Sequence, residues 1–123
     1  MRILLAEDEP DIQLVTRVAL EDEGHSVVAV EDGMAALERA RAEPFDVVLL
    51  DVMMPRLDGF ETCQQLKADP RTQHLSVIFL TARSQEAEVR AGLQMGAIGY
   101  IIKPFDVFTL ATDIAALLAR MSR

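Results

Sequence analysis

The 123-residue sequence has one cysteine, no tryptophan, one tyrosine and only 5% aromatic residues. The lone Cys63 permits no internal disulfide and no cysteine-built metal site, which agrees with a reducing compartment. Positive charge is also scarce: 12 Lys and Arg stand against 20 Asp and Glu, for a formal net charge of -8 and a pI near 4.6. A nucleic-acid binder needs a basic stripe, and this balance would repel DNA and an anionic membrane surface alike. Direct binding of either by this domain is therefore not expected. Long apolar runs are missing as well. Residues 47–50 make a run of strand size, far below the roughly 20 residues that span a bilayer, and acids appear by Glu7, too early for a signal-peptide apolar region. A soluble, cytoplasmic protein is the expectation. The length suits one domain, 1–123, with 50% apolar residues to fill a single core.

No repeat, low-complexity tract or Gly/Ser linker divides the chain. Five short runs rich in Val, Ile and Leu lie at 3–6, 26–30, 46–50, 77–80 and 100–102. The first, third and fourth are nearly continuous apolar runs, as in strands covered on both faces. Between them the period becomes helical. A first helix starts at Pro10, ends at Gly24 and turns Ile12, Val15 and Ala19 inward. A second follows Asp32-Gly33, a third follows Gly59, and a fourth runs from Ser84 to about Met95, before Gly96. In the last, Leu110, Ile114, Leu117, Leu118 and Met121 form one buried stripe, with Asp106 as N-cap. This β-α alternation predicts a three-layer α/β sandwich: a doubly wound five-stranded parallel sheet of flavodoxin-like order 2-1-3-4-5, flanked by five helices. In that order a ligand site lies outside the carboxyl ends of strands 1 and 3.

The polar residues fall on that edge. Glu7 and Asp8 end the first strand, Asp51 the third, Thr81 the fourth and Lys103 the fifth. Two carboxylates about 5 Å apart repel by roughly 3 kcal/mol at an effective dielectric near 20, so clustered acids need an offset. Lys103 supplies one positive charge, and a hard divalent cation would supply the rest. With no His or Cys nearby, Mg²⁺ or Mn²⁺ is favoured over Zn²⁺. A carboxylate, a hard cation, a lysine and a hydroxyl suit phosphoryl transfer, in which an ionised Asp attacks phosphorus to form an acyl phosphate. Ala82, beside Thr81, leaves room for the incoming group.

Asp51-Val52-Met53-Met54-Pro55-Arg56-Leu57-Asp58-Gly59, with Glu7-Asp8, Thr81-Ala82 and Tyr100-Ile101-Ile102-Lys103-Pro104-Phe105, resembles the receiver domain of two-component response regulators. The likeness runs from Ile3 to the last helix. Strand order 2-1-3-4-5 is a property of that family, so agreement on it adds no independent support. The resemblance implies that Asp51 is the phosphoacceptor. Asp8 and Asp51 would bind Mg²⁺ directly, with the Met53 backbone carbonyl as a further ligand and Glu7 contributing directly or through water. Thr81 and Lys103 would contact the phosphoryl group, and Tyr100 would be the switch aromatic that follows Thr81. A cis Lys103-Pro104 bond is implied too. Glu7 stands where many members have Asp, and Met53 and Arg83 occupy variable positions that influence access of the hydrolytic water. The implied partners are a sensor histidine kinase or histidine phosphotransfer protein and a downstream effector or output domain. A second copy, met through the fourth helix, fifth strand and fifth helix, is a further partner open to the chain, though the sequence does not decide the oligomeric state. The chain would be a phosphorylation switch, not a turnover enzyme on an external substrate, either free-standing or part of a longer protein.

Blander readings fit much of the rest. Glu21-Asp22-Glu23, Glu31, Glu38 and Glu43 read as solvated surface, and Glu9 and Asp11 as acids favoured at a helix N-terminus. Met53-Met54 reads as packing, not a soft-metal site. Residues 1–61 hold 15 acids and 5 bases, whereas 62–123 hold 5 and 7, so the acidity belongs to the first half. Two rival functions remain. A metal-dependent phosphatase of haloacid-dehalogenase type would carry a second Asp two residues past the nucleophile, where Met53 stands. A receiver-like interaction module that is never phosphorylated would not need Glu7, Asp8, Asp51, Thr81 and Lys103 intact.

Overall fold

Successive residues of a strand point to opposite faces of a sheet, so an apolar run along a strand must be covered on both sides. The computed structural model describes residues 1–121, with side chains through Arg120. Its elements are β1 (Arg2–Ala6), α1 (Pro10–Asp22), β2 (Ser26–Val30), α2 (Gly33–Ala42), β3 (Val47–Asp51), α3 (Gly59–Ala68), β4 (Ser76–Ala82), α4 (Glu86–Gly92), β5 (Gly99–Lys103) and α5 (Leu110–Met121). All strand pairs are parallel and the order is β2-β1-β3-β4-β5, as the sequence predicts. Leu4, Ala6, Val48, Leu50, Val77 and Phe79 face one apolar layer, shared with Leu37 of α2, Leu66 of α3 and Val89 of α4. Ile3, Leu5, Val47, Leu49, Ile78 and Leu80 face the other, closed by Leu20 of α1 and by Leu110 and Ile114 of α5. Three central strands are thus covered on both sides. No helix among the described residues is long and apolar enough to cross a membrane.

The helices depart from the sequence reading in instructive ways. On α1 the buried residues are Thr16 and Leu20, while Val15 is 49% exposed and Ile12 and Ala19 are only half-buried. A threonine can take the inward position because its hydroxyl donates to the Ile12 carbonyl at 2.6 Å, which satisfies the polar group inside the helix. The fourth helix is not continuous: 3₁₀ turns at Arg83–Gln85 and Leu93–Met95 flank a short α4. Gly92 ends it, a weak helix former held at a spot where a Cβ would lie 2.6 Å from the Phe60 ring. Asp106 does not cap α5. Its carboxylate instead accepts from the Phe108 amide at 2.8 Å in a turn, and the helix starts later, at Leu110. The expected stripe of Leu110, Ile114, Leu117 and Leu118 does pack inward; the Met121 side chain and residues Ser122 and Arg123 lie outside the described residues. The Lys103-Pro104 bond is cis.

Phe79 is fully buried, edge-on to Phe60 with ring centroids 5.2 Å apart, whereas Phe108 is 90% exposed. Phe79→Ala is therefore expected to cost about 3–5 kcal/mol in urea denaturation, and Phe108→Ala to stay within about 0.5 kcal/mol of wild type. Equal losses would contradict this division of the apolar residues.

Candidate metal and phosphoryl site

The register of the sheet brings the strand ends together. Ala6 pairs with both Val30 and Leu50, so Glu7 and Asp8 emerge beside Asp51, and Ala82 pairs with Lys103. One carboxylate oxygen each from Glu7, Asp8 and Asp51 can be chosen so that all lie within 4.8 Å of one another. Lys103 Nζ donates to Glu7 Oε1 at 3.2 Å and to Asp51 Oδ2 at 3.1 Å. Glu7 and Asp51 are buried, while Asp8 is exposed.

Backbone contacts hold these groups in place. The Glu7 amide donates to the Val30 carbonyl at 3.0 Å, and the Glu9 amide donates to Glu7 Oε2 at 3.2 Å. Gln13 ties the same loop to β2, donating from Nε2 to the carbonyls of Glu7 at 3.0 Å and Val30 at 3.1 Å. No sequence signal marks Gln13, because a lone amide on a helix has no pattern to betray it. Asp51 Oδ1 accepts from the Met53 amide at 3.2 Å. Behind Asp51, α3 starts so close that a Cβ on Gly59 would stand 2.5 Å from the Asp51 carbonyl oxygen. Only glycine permits that approach.

The electrostatics follow from burial and crowding. Burial first, then the hydrogen bond and charge of Asp51, push Glu7 from 4.5 up to about 8, against the opposing pull of the Glu9 amide and Lys103. Burial alone would lower the Lys103 ammonium, but the hydrogen bond and charge of Asp51, with those of Glu7, outweigh it and hold the lysine above its ordinary value. The donor set is entirely oxygen and carries more negative charge than one lysine offsets. It fits a hard divalent cation of the Mg²⁺ or Mn²⁺ class, with Glu7, Asp8 and Asp51 as candidate holders.

A cleft of about 650 Å³ is lined by Asp8, Asp51, Met53, Ala82 and Lys103 together with the apolar Ile12, Val15, Phe105 and Val107. Two other residues singled out in the sequence hydrogen-bond to partners outside the cluster. The buried Thr81 hydroxyl donates to the neighbouring Ala82 carbonyl at 3.2 Å, and Tyr100 donates to Glu86 Oε2 at 2.7 Å, on the α4 side of β5. The Met53 side chain is 62% exposed at the cleft, and Arg83 is exposed.

Comparison with known proteins gives a consistent assignment. The family model described as the response regulator receiver domain matches residues 3–115. The transcriptional regulatory protein CseB of Streptomyces coelicolor is 42% identical over 118 residues, 96% of this chain and 49% of its own length. The response regulator ArlR of Staphylococcus saprophyticus is 38% identical, over 97% of this chain and 53% of its own. The chain spans about half the length of the curated relatives it matches. Among solved structures, the chemotaxis response regulator CheY4 of Vibrio cholerae superposes with a TM-score of 0.87 at 28% identity, covering 94% of this chain and 97% of that one. The receiver domain of the sensor histidine kinase PA1611 from Pseudomonas aeruginosa, described with magnesium coordinated in its active-site cleft, superposes with a TM-score of 0.86 at 30% identity, covering 96% and 97%.

The displaced Glu7 makes stability depend on pH. Its folded value of about 8 lies above the 4.5 of an ordinary glutamate, so between those limits the unfolded chain sheds the proton while the folded chain keeps it. The contribution is full below about pH 4.5 and is lost as pH rises towards about 8. In metal-free buffer Glu7→Gln should flatten the fall in melting temperature across this window and raise the melting temperature at pH 8. An unchanged slope in thermal melts would contradict the assignment of the strain to Glu7.

Proposed function

The chain belongs to the response regulator receiver domain family, and from that premise we propose that it is a phosphoryl-accepting switch in which Asp51 takes a phosphoryl group from a phosphohistidine. The observation that carries this reading is the Lys103 ammonium shared between Glu7 and Asp51, at 3.2 and 3.1 Å, beside an exposed Asp8. Asp51 offers a carboxylate oxygen as nucleophile, and the Lys103 ammonium beside it offers a cation for the phosphoryl oxygens. In the transfer, an Asp51 carboxylate oxygen bonds to phosphorus as the phosphorus–nitrogen bond of the donor breaks, leaving an acyl phosphate on Asp51 and the imidazole free. Glu7, Asp8, Asp51 and the Met53 carbonyl would hold Mg²⁺, which when bound neutralises phosphoryl oxygens and offsets the crowded acids. Lys103 would move from its carboxylates towards the new dianion, and the Thr81 hydroxyl would leave the Ala82 carbonyl to donate to it. Ala82 leaves room for that shift.

The switch would then pass to Tyr100. Its hydroxyl is tied to Glu86 at 2.7 Å, and following Thr81 inward would break that bond and alter the surface of α4, β5 and α5. That surface is the proposed contact for a downstream effector, an output domain or a second copy. The donor, a sensor histidine kinase or histidine phosphotransfer protein, would dock beside the cleft, where Leu14, Val15 and Val18 of α1 are 52%, 49% and 45% exposed. We take residues 1–123 as one receiver domain acting in the cytoplasm, with no direct role in binding nucleic acid or membrane and no turnover of an external substrate. The position two residues past Asp51, where a phosphatase of haloacid-dehalogenase type would need a second Asp, is Met53.

Incubation with a small phosphodonor such as acetyl phosphate in Mg²⁺ should label the wild type at Asp51, while Asp51→Asn and wild type in chelator stay unlabelled. Undiminished labelling of Asp51→Asn would sink the assignment, and a wild type that never labels would favour a receiver-like interaction module.

A further inference from the structure

The loop of residues 52–58, between β3 and α3, contains the only non-glycine residue with positive φ among the described residues, Arg56 at 67°. The Leu57 amide donates to the Pro55 carbonyl at 2.7 Å, closing a three-residue turn around Arg56. A γ-turn whose central φ is positive is the rare and strained kind, and a side chain at the centre adds to that strain. Glycine would adopt the conformation more readily, so the presence of arginine calls for an explanation.

The Arg56 guanidinium forms an ion pair with Asp32. Asp32 is 3% exposed and is fixed from its other side, where Oδ1 accepts from the Ala35 amide at 2.8 Å as the N-cap of α2. Next to it, Gly33 brings the start of α2 so close that a Cβ there would lie 2.5 Å from the Leu57 carbonyl oxygen. The α2 terminus therefore grips the turn twice, by charge at Arg56 and by close packing at Leu57. Upstream, the same loop carries Met53, whose amide donates to Asp51 Oδ1 at 3.2 Å.

We propose that Asp32 and Arg56 are positioning residues, whose ion pair clamps the strained turn and so keeps the Met53 peptide against Asp51 in the geometry that cation binding requires. This inference rests on the cation site of the proposed function. Arg56 is itself 69% exposed at its side chain, and exposed ion pairs add little to stability. The signature of the clamp is thus a change in Mg²⁺ affinity that depends on what stands at position 56.

Isothermal titration of Mg²⁺ into the intact chain, well below the melting temperature, separates the cases. Arg56→Ala keeps the backbone strain and loses the clamp, and it should weaken Mg²⁺ binding by roughly 3- to 10-fold, at or below the roughly 10-fold lower bound for partners that touch a ligand directly, since the clamp acts through the turn. Asp32→Asn retains a good N-cap while removing the charge and should fall in the same direction. Arg56→Gly removes the strain that the clamp opposes, and Arg56→Lys keeps a cation; both should stay within about 2-fold of wild type. Wild-type affinity in Arg56→Ala, or equal weakening in Arg56→Ala and Arg56→Gly, would overturn the clamp while leaving the cation site intact. Absence of Mg²⁺ binding by the wild type would instead overturn the cation site, and the clamp with it.

Discussion

The constraint on which the structure turns is the crowding of Glu7, Asp8 and Asp51 at one edge of the sheet, offset by a single ammonium from Lys103. Each acid follows an apolar strand, so the hydrophobic layers that hold β1 and β3 side by side also force their carboxylates together. Packing imposes the electrostatic cost, and the cost shapes the chemistry. A site that keeps Glu7 protonated up to about pH 8 gains from any group that brings in positive charge, whether a cation or a redirected lysine. Moving the acids apart would require changing the register of the central strands, which would displace their apolar side chains from the contacts they make in both layers.

The acidity of the chain divides accordingly. Of the 15 acids in residues 1–61, only Glu7, Asp8 and Asp51 meet at the cluster; Asp11, Glu21, Asp22, Glu38 and Glu61 are exposed on helices, and Asp32 is buried beside Arg56. Beside that charge, α1 exposes Leu14, Val15 and Val18, and Phe108 stands nearly free at 90% exposure. An apolar face bordering a charged cleft suits a partner that must be held while a small group passes across. The opposite edge of the site leads through β4 and β5 to Tyr100 and Glu86, so donor docking and output would occupy different surfaces.

Much of this was legible in the sequence, for identifiable reasons. Continuous apolar runs marked the central strands, and a polar residue directly after each run marked the site edge, because a parallel sheet aligns its strand ends. Resemblance adds expected roles that spacing cannot supply, such as those proposed for Thr81 and Tyr100. On α1 the apolar pattern points to Ile12, Val15 and Ala19, whereas the polar Thr16 takes the inward position because the Ile12 carbonyl satisfies its hydroxyl inside the helix. The period of the fourth helix is helical from Ser84 to Met95, whereas the packing of Phe60 against Gly92 is a tertiary contact with no local trace. Asp106 looked like a helix cap and caps a turn instead, since the two motifs use the same side chain. The Asp32–Arg56 pair was invisible, for it joins two loops 24 residues apart in sequence.

Burial and the neighbouring Asp51 keep Glu7 protonated, so a divalent cation held by Glu7, Asp8 and Asp51 would have to displace that proton. Counting the protons released when Mg²⁺ is added near pH 7, by calorimetry in buffers of different ionisation enthalpy, decides whether it does. With Glu7 held near 8, binding should expel up to about one proton per cation, and the release should vanish above pH 9 and in Glu7→Gln. Tight Mg²⁺ binding with no proton release at pH 7 would show that Glu7 is not held protonated beside Asp51.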